Sequence, residues 1–231
     1  PADAMREYLS QRYSAGHING KVCLFHGLGS PLLADQDWMT RTLAAAELQV
    51  SVAAVSRLVT DGVLNGEIHR AGVNGKSIGV VARASLDRLK RQLDSSITSK
   101  EAATLLGIHR HRVAELTRND VLKGAVRVKG SWHIPKQSLD DVLRLISDLQ
   151  PIRRLRPPYL SLREATRRFG KRGFTLAVAI KLISDGLLPA KRGGEGNALA
   201  AVIVNADNIE QCRAEIQRMR DDRKGIPLNR L

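Results

Sequence analysis

Two runs of cationic side chains have the types and spacing for recognition chemistry: His109-Arg110-His111-Arg112 and Arg153-Arg154-Leu155-Arg156. A guanidinium is a planar fork of N–H donors that matches paired acceptors, either two phosphate oxygens or the O6 and N7 of guanine. An imidazole can donate to a phosphate or simply face solvent, and both readings stay open for His109 and His111. The wider composition agrees. The 231-residue chain carries 37 Lys and Arg against 23 Asp and Glu, a formal charge of +14. Such an excess favours a polyanionic partner, through phosphate contact and counterion release. Between Arg153 and Arg192 eleven basic residues face only Glu164 and Asp185, an excess of +9. A merely solvated surface interleaves both signs.

Catalytic chemistry finds no such support. The chain has no HExxH, no phosphate-cradling glycine loop and no acidic set for two metals. Gly72-Val73-Asn74-Gly75-Lys76-Ser77 contains Gly-Lys-Ser but lacks the glycine spacing of a P-loop. Six histidines are scattered without a carboxylate or cysteine at ligand spacing, and Cys23 and Cys212 belong to no paired motif. No catalytic residue, metal or cofactor is therefore expected, and no disulfide. No apolar run reaches the length of a membrane span and no signal peptide opens the chain. The expected setting is a reducing, nucleoid-associated bacterial cytoplasm.

One pattern must position the cationic runs. Thr98 with Glu101 three residues on is a capping-box signature, and Ala102, Leu105 and Leu106 follow on one helical face. Gly107 ends that helix, because glycine accepts the left-handed backbone of a tight turn. A second helix starts near His109, with Val113 and Leu116 inward. Alternation on both sides of Gly130-Ser131, from Ala125 to Pro135, predicts a two-stranded hairpin, and Ser138 to Leu143 opens a closing helix. Helix, turn, helix, hairpin and helix make a winged helix-turn-helix.

The same template fits on each side. Leu48, Val50, Val55, Leu58 and Val63 align without gaps to Leu106, Ile108, Val113, Leu116 and Val121. The first copy continues with a wing over Ile68 to Ala82 and a closing helix from Ser85. Downstream, Ser161 to Glu164 repeats the cap, Phe169-Gly170 ends the first helix, and Gly170-Lys171-Arg172-Gly173 forms a longer turn. A second helix over Thr175 to Ser184, a wing from Ala190 to Val204 and a closing helix from Ile209 to Met219 follow. The offsets are 58 and 66 residues at Val63, Val121 and Leu187. The expected fold class is thus mainly α with short β-hairpin wings, as three consecutive winged helix-turn-helix modules at 38–94, 95–149 and 160–231. A basic, proline-bracketed linker spans 150–159, extended rather than helical. Residues 1–37 form an irregular segment, helical over Met5 to Tyr13 and strand-like over Val22 to Phe25.

The middle copy resembles the winged helix-turn-helix of excisionases and of the MerR superfamily. The residues that carry the likeness are Thr98, Glu101-Ala102-Ala103, Leu106-Gly107-Ile108, Val121-Leu122, Trp132-His133-Ile134-Pro135 and Leu139, about fifty residues in span. One departure is Asp120, where those modules usually have the glycine seen at Gly62 and Gly186. Several copies in series also look like the C-terminal part of TniQ/TnsD-type transposon target-selection proteins. That likeness implies a DNA reader that recruits a transposase or other recombinase, although the family's N-terminal zinc-site cysteines have no counterpart here.

In a helix-turn-helix the second helix enters the major groove with its N-terminal residues nearest the base edges. The middle copy places His109, Arg110, His111 and Arg112 there, Arg110 and Arg112 being the stronger candidates. The first offers Ser51, Ser56 and Arg57 beside small residues that admit thymine methyls; a copy that only packs against its neighbours would look the same. In the third, Lys171, Arg172 and Thr175 flank the second helix and Lys181 lies along it. Lys76, Arg127, Lys129, Lys191 and Arg192 sit on the wings, within reach of phosphate, and Trp132 reads as a hairpin residue packed on the core. Arg153, Arg154 and Arg156 suit a narrow minor groove, or else a solvated tether. The favoured partner is double-stranded DNA, read at an asymmetric site for transcription, partition or transposition. The rival is a scaffold whose helix-turn-helix units hold partner proteins; RNA fits less well, because side chains cannot readily read its deep major groove. Replacing Arg153, Arg154 and Arg156 together with Ala is expected to weaken duplex binding and flatten its salt dependence. A salt slope equal to that of the unaltered chain would reject the minor-groove role.

Overall fold

The computed structural model describes Ala4 and residues 37–71, 76–152, 156–193 and 198–224. The expected elements at Met5–Tyr13 and Val22–Phe25, the loop at Gly72–Gly75, the arginines Arg153 and Arg154, and the wing tip at Gly194–Gly196 lie outside these residues. The chain divides into two compact units, Pro1–Asp94 and Ser95–Leu231. Helices dominate, joined by small sheets.

One element order occurs three times. The first runs β1 (Trp38–Thr40), α1 (Arg41–Leu48), α2 (Val52–Thr60), β2 (Gly66–Ala71), β3 (Lys76–Ala82) and α3 (Arg83–Asp94). The second runs β4 (Ser96–Thr98), α4 (Ser99–Leu106), α5 (Arg110–Arg118), β5 (Val126–Val128), β6 (Ser131–Pro135) and α6 (Lys136–Ser147). After the short β7 (Pro151–Ile152), the third runs β8 (Tyr159–Ser161), α7 (Leu162–Phe169), α8 (Leu176–Ser184), β9 (Ala190–Gly193), β10 (Val202–Asn205), α9 (Ala206–Gln211) and α10 (Arg213–Lys224). In each, the opening strand pairs antiparallel with the second hairpin strand, through Trp38↔Ala82, Ser96↔Pro135 and Tyr159↔Asn205. β7 adds a parallel edge to the third sheet against β9.

Local chemistry explains the repetition. Every opening strand is three residues long and ends on a hydroxyl that caps the next helix: Thr40, Thr98 and Ser161 accept from the N–H of Leu43, Glu101 and Glu164. At Thr98 the capping box is complete, with Glu101 bonded back to the Thr98 N–H at 2.8 Å. That backbone N–H, followed by the Thr98 hydroxyl, holds the Glu101 carboxyl below its ordinary pKa. The left-handed residue of the turn is Gln49 at φ 53° in the first repeat and Gly107 at φ 64° in the second. In the third, a one-turn 3-10 helix over Gly170–Arg172 intervenes and Gly173 takes φ 96°. The expected four-residue turn is thus an inserted helical turn.

Several boundaries differ from the sequence expectation. Leu105 is 51% exposed, because α4 turns Ala102, Ala103 and Leu106 inward instead. The hairpin pivots on Lys129-Gly130, not Gly130-Ser131, since Val128 pairs with Ser131. Both pivot residues take positive φ, 51° and 77°, as a two-residue type I′ turn requires. The single closing helix expected over Ile209–Met219 is two helices, interrupted at Cys212, whose thiol donates to the Leu187 carbonyl at 3.3 Å. The stretch after residue 150 is not a free tether throughout: Pro151–Ile152 pair with β9, and the Arg192 N–H donates to the Gln150 carbonyl at 2.8 Å. One continuous core runs from Ala102 to Ile216, so the second and third repeats share their interior.

The second helix of each repeat closes identically. The N–H groups of Val63 and Leu64, Val121 and Leu122, and Leu187 and Leu188 converge on the carbonyls of Leu58, Leu116 and Leu182. This geometry needs a left-handed residue just before, supplied by Gly62 at φ 72°, Asp120 at φ 60° and Gly186 at φ 71°. Aspartate tolerates that region better than most side chains, but glycine adopts it without steric cost. Asp120→Gly is therefore expected to raise stability by up to about 1 kcal/mol in urea unfolding. Gly62→Ala, where a Cβ meets no atom within 4 Å, should lower it by about 1–2 kcal/mol through backbone strain alone. Unchanged midpoints would refute the backbone explanation.

Candidate nucleic-acid interface

Helix α5 is anchored by Val113 and Leu116, both fully buried, and the Thr117 hydroxyl donates to the Val113 carbonyl at 2.7 Å. Its outward residues are His109, Arg110, His111 and Arg118. Arg110 is held on two sides, donating from Nε to Ser99 Oγ and from Nη2 to Ser131 Oγ, each at 3.3 Å. The helix-turn-helix and the wing are thereby tied together by a guanidinium that keeps further N–H donors for a ligand. His109 and His111 share an Nδ1···Nδ1 hydrogen bond of 2.8 Å, with ring centroids 4.7 Å apart. One ring donates and the other accepts, which leaves both Nε2 atoms for other partners. Arg112 is more occupied than expected: it is half-buried and donates to Glu115 Oε2 at 2.7 Å. The other Glu115 oxygen accepts the N–H of Ala177, at the start of α8, at 3.3 Å.

On the wing beside α5, Arg127 projects to solvent between buried Val126 and Val128, and Lys129 is exposed at the turn. Arg127 stands opposite the half-buried Trp132 in the register. His133 meets Ser96 Oγ at 3.3 Å; burial, then the Lys129 charge, pushes its pKa down.

The first repeat is built differently. The Ser51 hydroxyl is spent on capping α2, accepting from Ala54 N at 3.2 Å, and Ser56 Oγ accepts from Arg41 Nη1 at 3.2 Å. Val52, Ala53 and Arg57 remain outward, and Lys76 opens β3 at the wing. Sequence reasoning missed Arg41 and Gly79: a Cβ at Gly79 would stand 2.6 Å from Arg41 Nε, so glycine leaves room for that guanidinium. The first residues of the two helices are Arg41 and Val52 here, Ser99 and Arg110 in the second repeat, and Leu162 and Leu176 in the third. An arginine bridges the junction from one helix in the first repeat and from the other in the second, while the third closes it with buried leucines.

That closure changes the role of α8. Leu176, Ala177, Val178, Ala179, Ile180 and Leu182 are all buried, so the helix is apolar nearly all round and belongs to the core. It does not offer the N-terminal reading face expected of it. Lys181 and Thr175 are half-buried, and the Thr175 hydroxyl caps the helix by accepting from Val178 N at 3.4 Å. Around it, Lys171, Arg192 and Arg156 are exposed. Arg172 pairs with Glu210 and lies 5.9 Å from the Phe169 ring centre, while Lys191 lies 5.2 Å from that of Tyr159 and bonds its hydroxyl. Of the sequence-predicted cations in this unit, those that stay exposed lie on α5 and its wing, before β8, in the turn before α8 and on β9, not along α8. His109, His111 and Arg112 line one cleft with Arg163 and Thr166 of α7.

Among the described residues no group of three or more His, Cys, Asp and Glu is placed to hold a metal ion, and no single helix is long and apolar enough to cross a membrane. The Cys212 thiol is pushed up by burial and then by Glu215.

A family described as a helix-turn-helix domain matches residues 96–144, from β4 through most of α6. No curated protein and no solved structure is found to be similar to the chain. Residues 96–144 are a helix-turn-helix domain, and a domain of this kind suggests DNA as its partner.

Proposed function

We propose that the chain is a sequence-specific binder of double-stranded DNA whose three repeats are winged helix-turn-helix modules used in series on an asymmetric site. The observation that carries this reading is α5. Two buried anchors present His109, Arg110 and His111 together, and Arg110 is braced between the helix-turn-helix and the wing. A braced guanidinium loses little freedom on meeting a base edge, which favours reading over mere attraction. Arg127 and Lys129 add phosphate contact, the first repeat adds Arg57 and small side chains, and the net charge of +14 supplies long-range attraction. The chain acts by binding and not by catalysis. Transposon target-site selection is the narrower proposal, resting on the tandem arrangement. A second reading, in which these units hold a protein such as a recombinase, is favoured by α8 alone, a second helix already committed to protein packing.

Selection from random duplex DNA, with the winners compared at two salt concentrations, tests the proposal. A long asymmetric consensus is expected. Arg110→Ala should relax preference over one or two adjacent base pairs and cost about 1–3 kcal/mol. Arg127→Ala and Lys129→Ala should weaken all sequences alike, each reducing the salt slope by about 0.9. Binding without any consensus, fading evenly with salt, would defeat the proposal and favour the protein-holding alternative.

A further inference from the structure

Helix α7 carries cations on two flanks that differ in what they face. Leu162, Ala165 and Phe169 form its buried stripe. At 100° per residue, Thr166, then Arg163, then Arg167 lead round one side of the helix away from that stripe, Arg167 standing nearly opposite it at the outer rim, and Arg168 falls on the other side. The first flank is the one that meets α5: Arg163 and Thr166 line the same cleft as His109, His111 and Arg112. The cleft measures about 560 Å³, its apolar lining includes Leu162, Leu176 and Leu199, and no acidic residue lines it. Arg167 has one acidic neighbour, Glu164 at 3.8 Å, and its side chain is 83% exposed. An ion pair that open to water does little to neutralise either partner.

We infer that one strand of the duplex runs along this cleft, with its phosphates held by Arg163 and Arg167, so that the face reading DNA is shared between the second and third repeats. The inference rests on the DNA-binding reading of α5 and extends it. With α5 in the major groove, the phosphates of a bordering strand lie beside its N-terminal turn, and the wall beside that turn is α7. A cationic rim over an apolar floor suits a backbone that alternates phosphates with deoxyribose faces. The burial of α8 is then a structural requirement of the interface: it sets α7 next to α5 by giving the two repeats one core. None of this depends on α8 touching DNA.

The test uses the full chain and the duplex recovered by selection. Arg163→Ala with Arg167→Ala is compared with Arg213→Ala with Arg220→Ala on α10, two exposed arginines whose loss removes the same charge from elsewhere on the third repeat. Thermal melts show that both pairs fold. The first pair is expected to lose at least tenfold in affinity near 0.15 M salt and to reduce the salt slope by about 1.8, two phosphate contacts' worth. Ethylating single phosphates should interfere with the unaltered chain at one or two backbone positions where the Arg163/Arg167 variant no longer responds. Equal, small losses for the two pairs, alongside a retained consensus and a damaging Arg110→Ala, would overturn the shared face while leaving the DNA reading intact. Absence of any consensus for the unaltered chain would instead remove the reading on which the inference rests. Loss of binding to a polyglutamate probe with duplex binding unchanged would also overturn it, by assigning the cleft to an acidic protein segment.

Discussion

The burial of α8 is the constraint on which the rest of the second unit depends. Six of its nine residues are apolar and buried, and a helix with so narrow a polar face must be covered on most sides. Its cover includes α5, to which it is joined by the Glu115 carboxylate on the Ala177 N–H. The second and third repeats therefore fold around one interior. Because α8 is consumed by that packing, α5 is the second helix of this unit that retains a polar, cationic front.

The junction between the two helices decides which outcome each repeat has. In the first two repeats an arginine spans it and bonds a serine of the other helix. In the third, Leu162 and Leu176 replace the arginine–serine pair and are buried. The inserted 3-10 turn at Gly170–Arg172 belongs to the same repeat, which departs from the shared template at the junction and in the turn alike. Charge follows the same division. In the third repeat exposed cations stand on α7, in the turn after it, on β9 and on α10, while the one cation of α8, Lys181, is half-buried.

Much of the fold was legible because its signals are local. Hydroxyl caps at Thr98 and Ser161, the glycines at 62, 107 and 186, and the equal helix spacing of the first two repeats are chemistry that acts within a few residues. The left-handed Asp120 is legible only against its glycine counterparts. The burial of α8 was also present, in the near-continuous apolar run from Leu176 to Ile183, but alignment to the template placed it on a groove-facing helix. What could not be read is tertiary. The bond from Arg110 to Ser131 spans twenty-one positions, and that from Glu115 to Ala177 spans sixty-two. The approach of Arg163 to His109 depends on the shared core, which no periodicity reveals.

Hydrogen exchange of the backbone amides, with and without a selected duplex, tests the division of labour between α5 and α8 most directly. The account predicts that amides of α8 exchange slowly in the free chain and do not change on binding. Amides from His109 to Arg112 and around Arg127 to Ser131 should gain protection. Rapid exchange in free α8 that becomes slow on adding the duplex would mean that α8 lies against DNA, and would contradict the account.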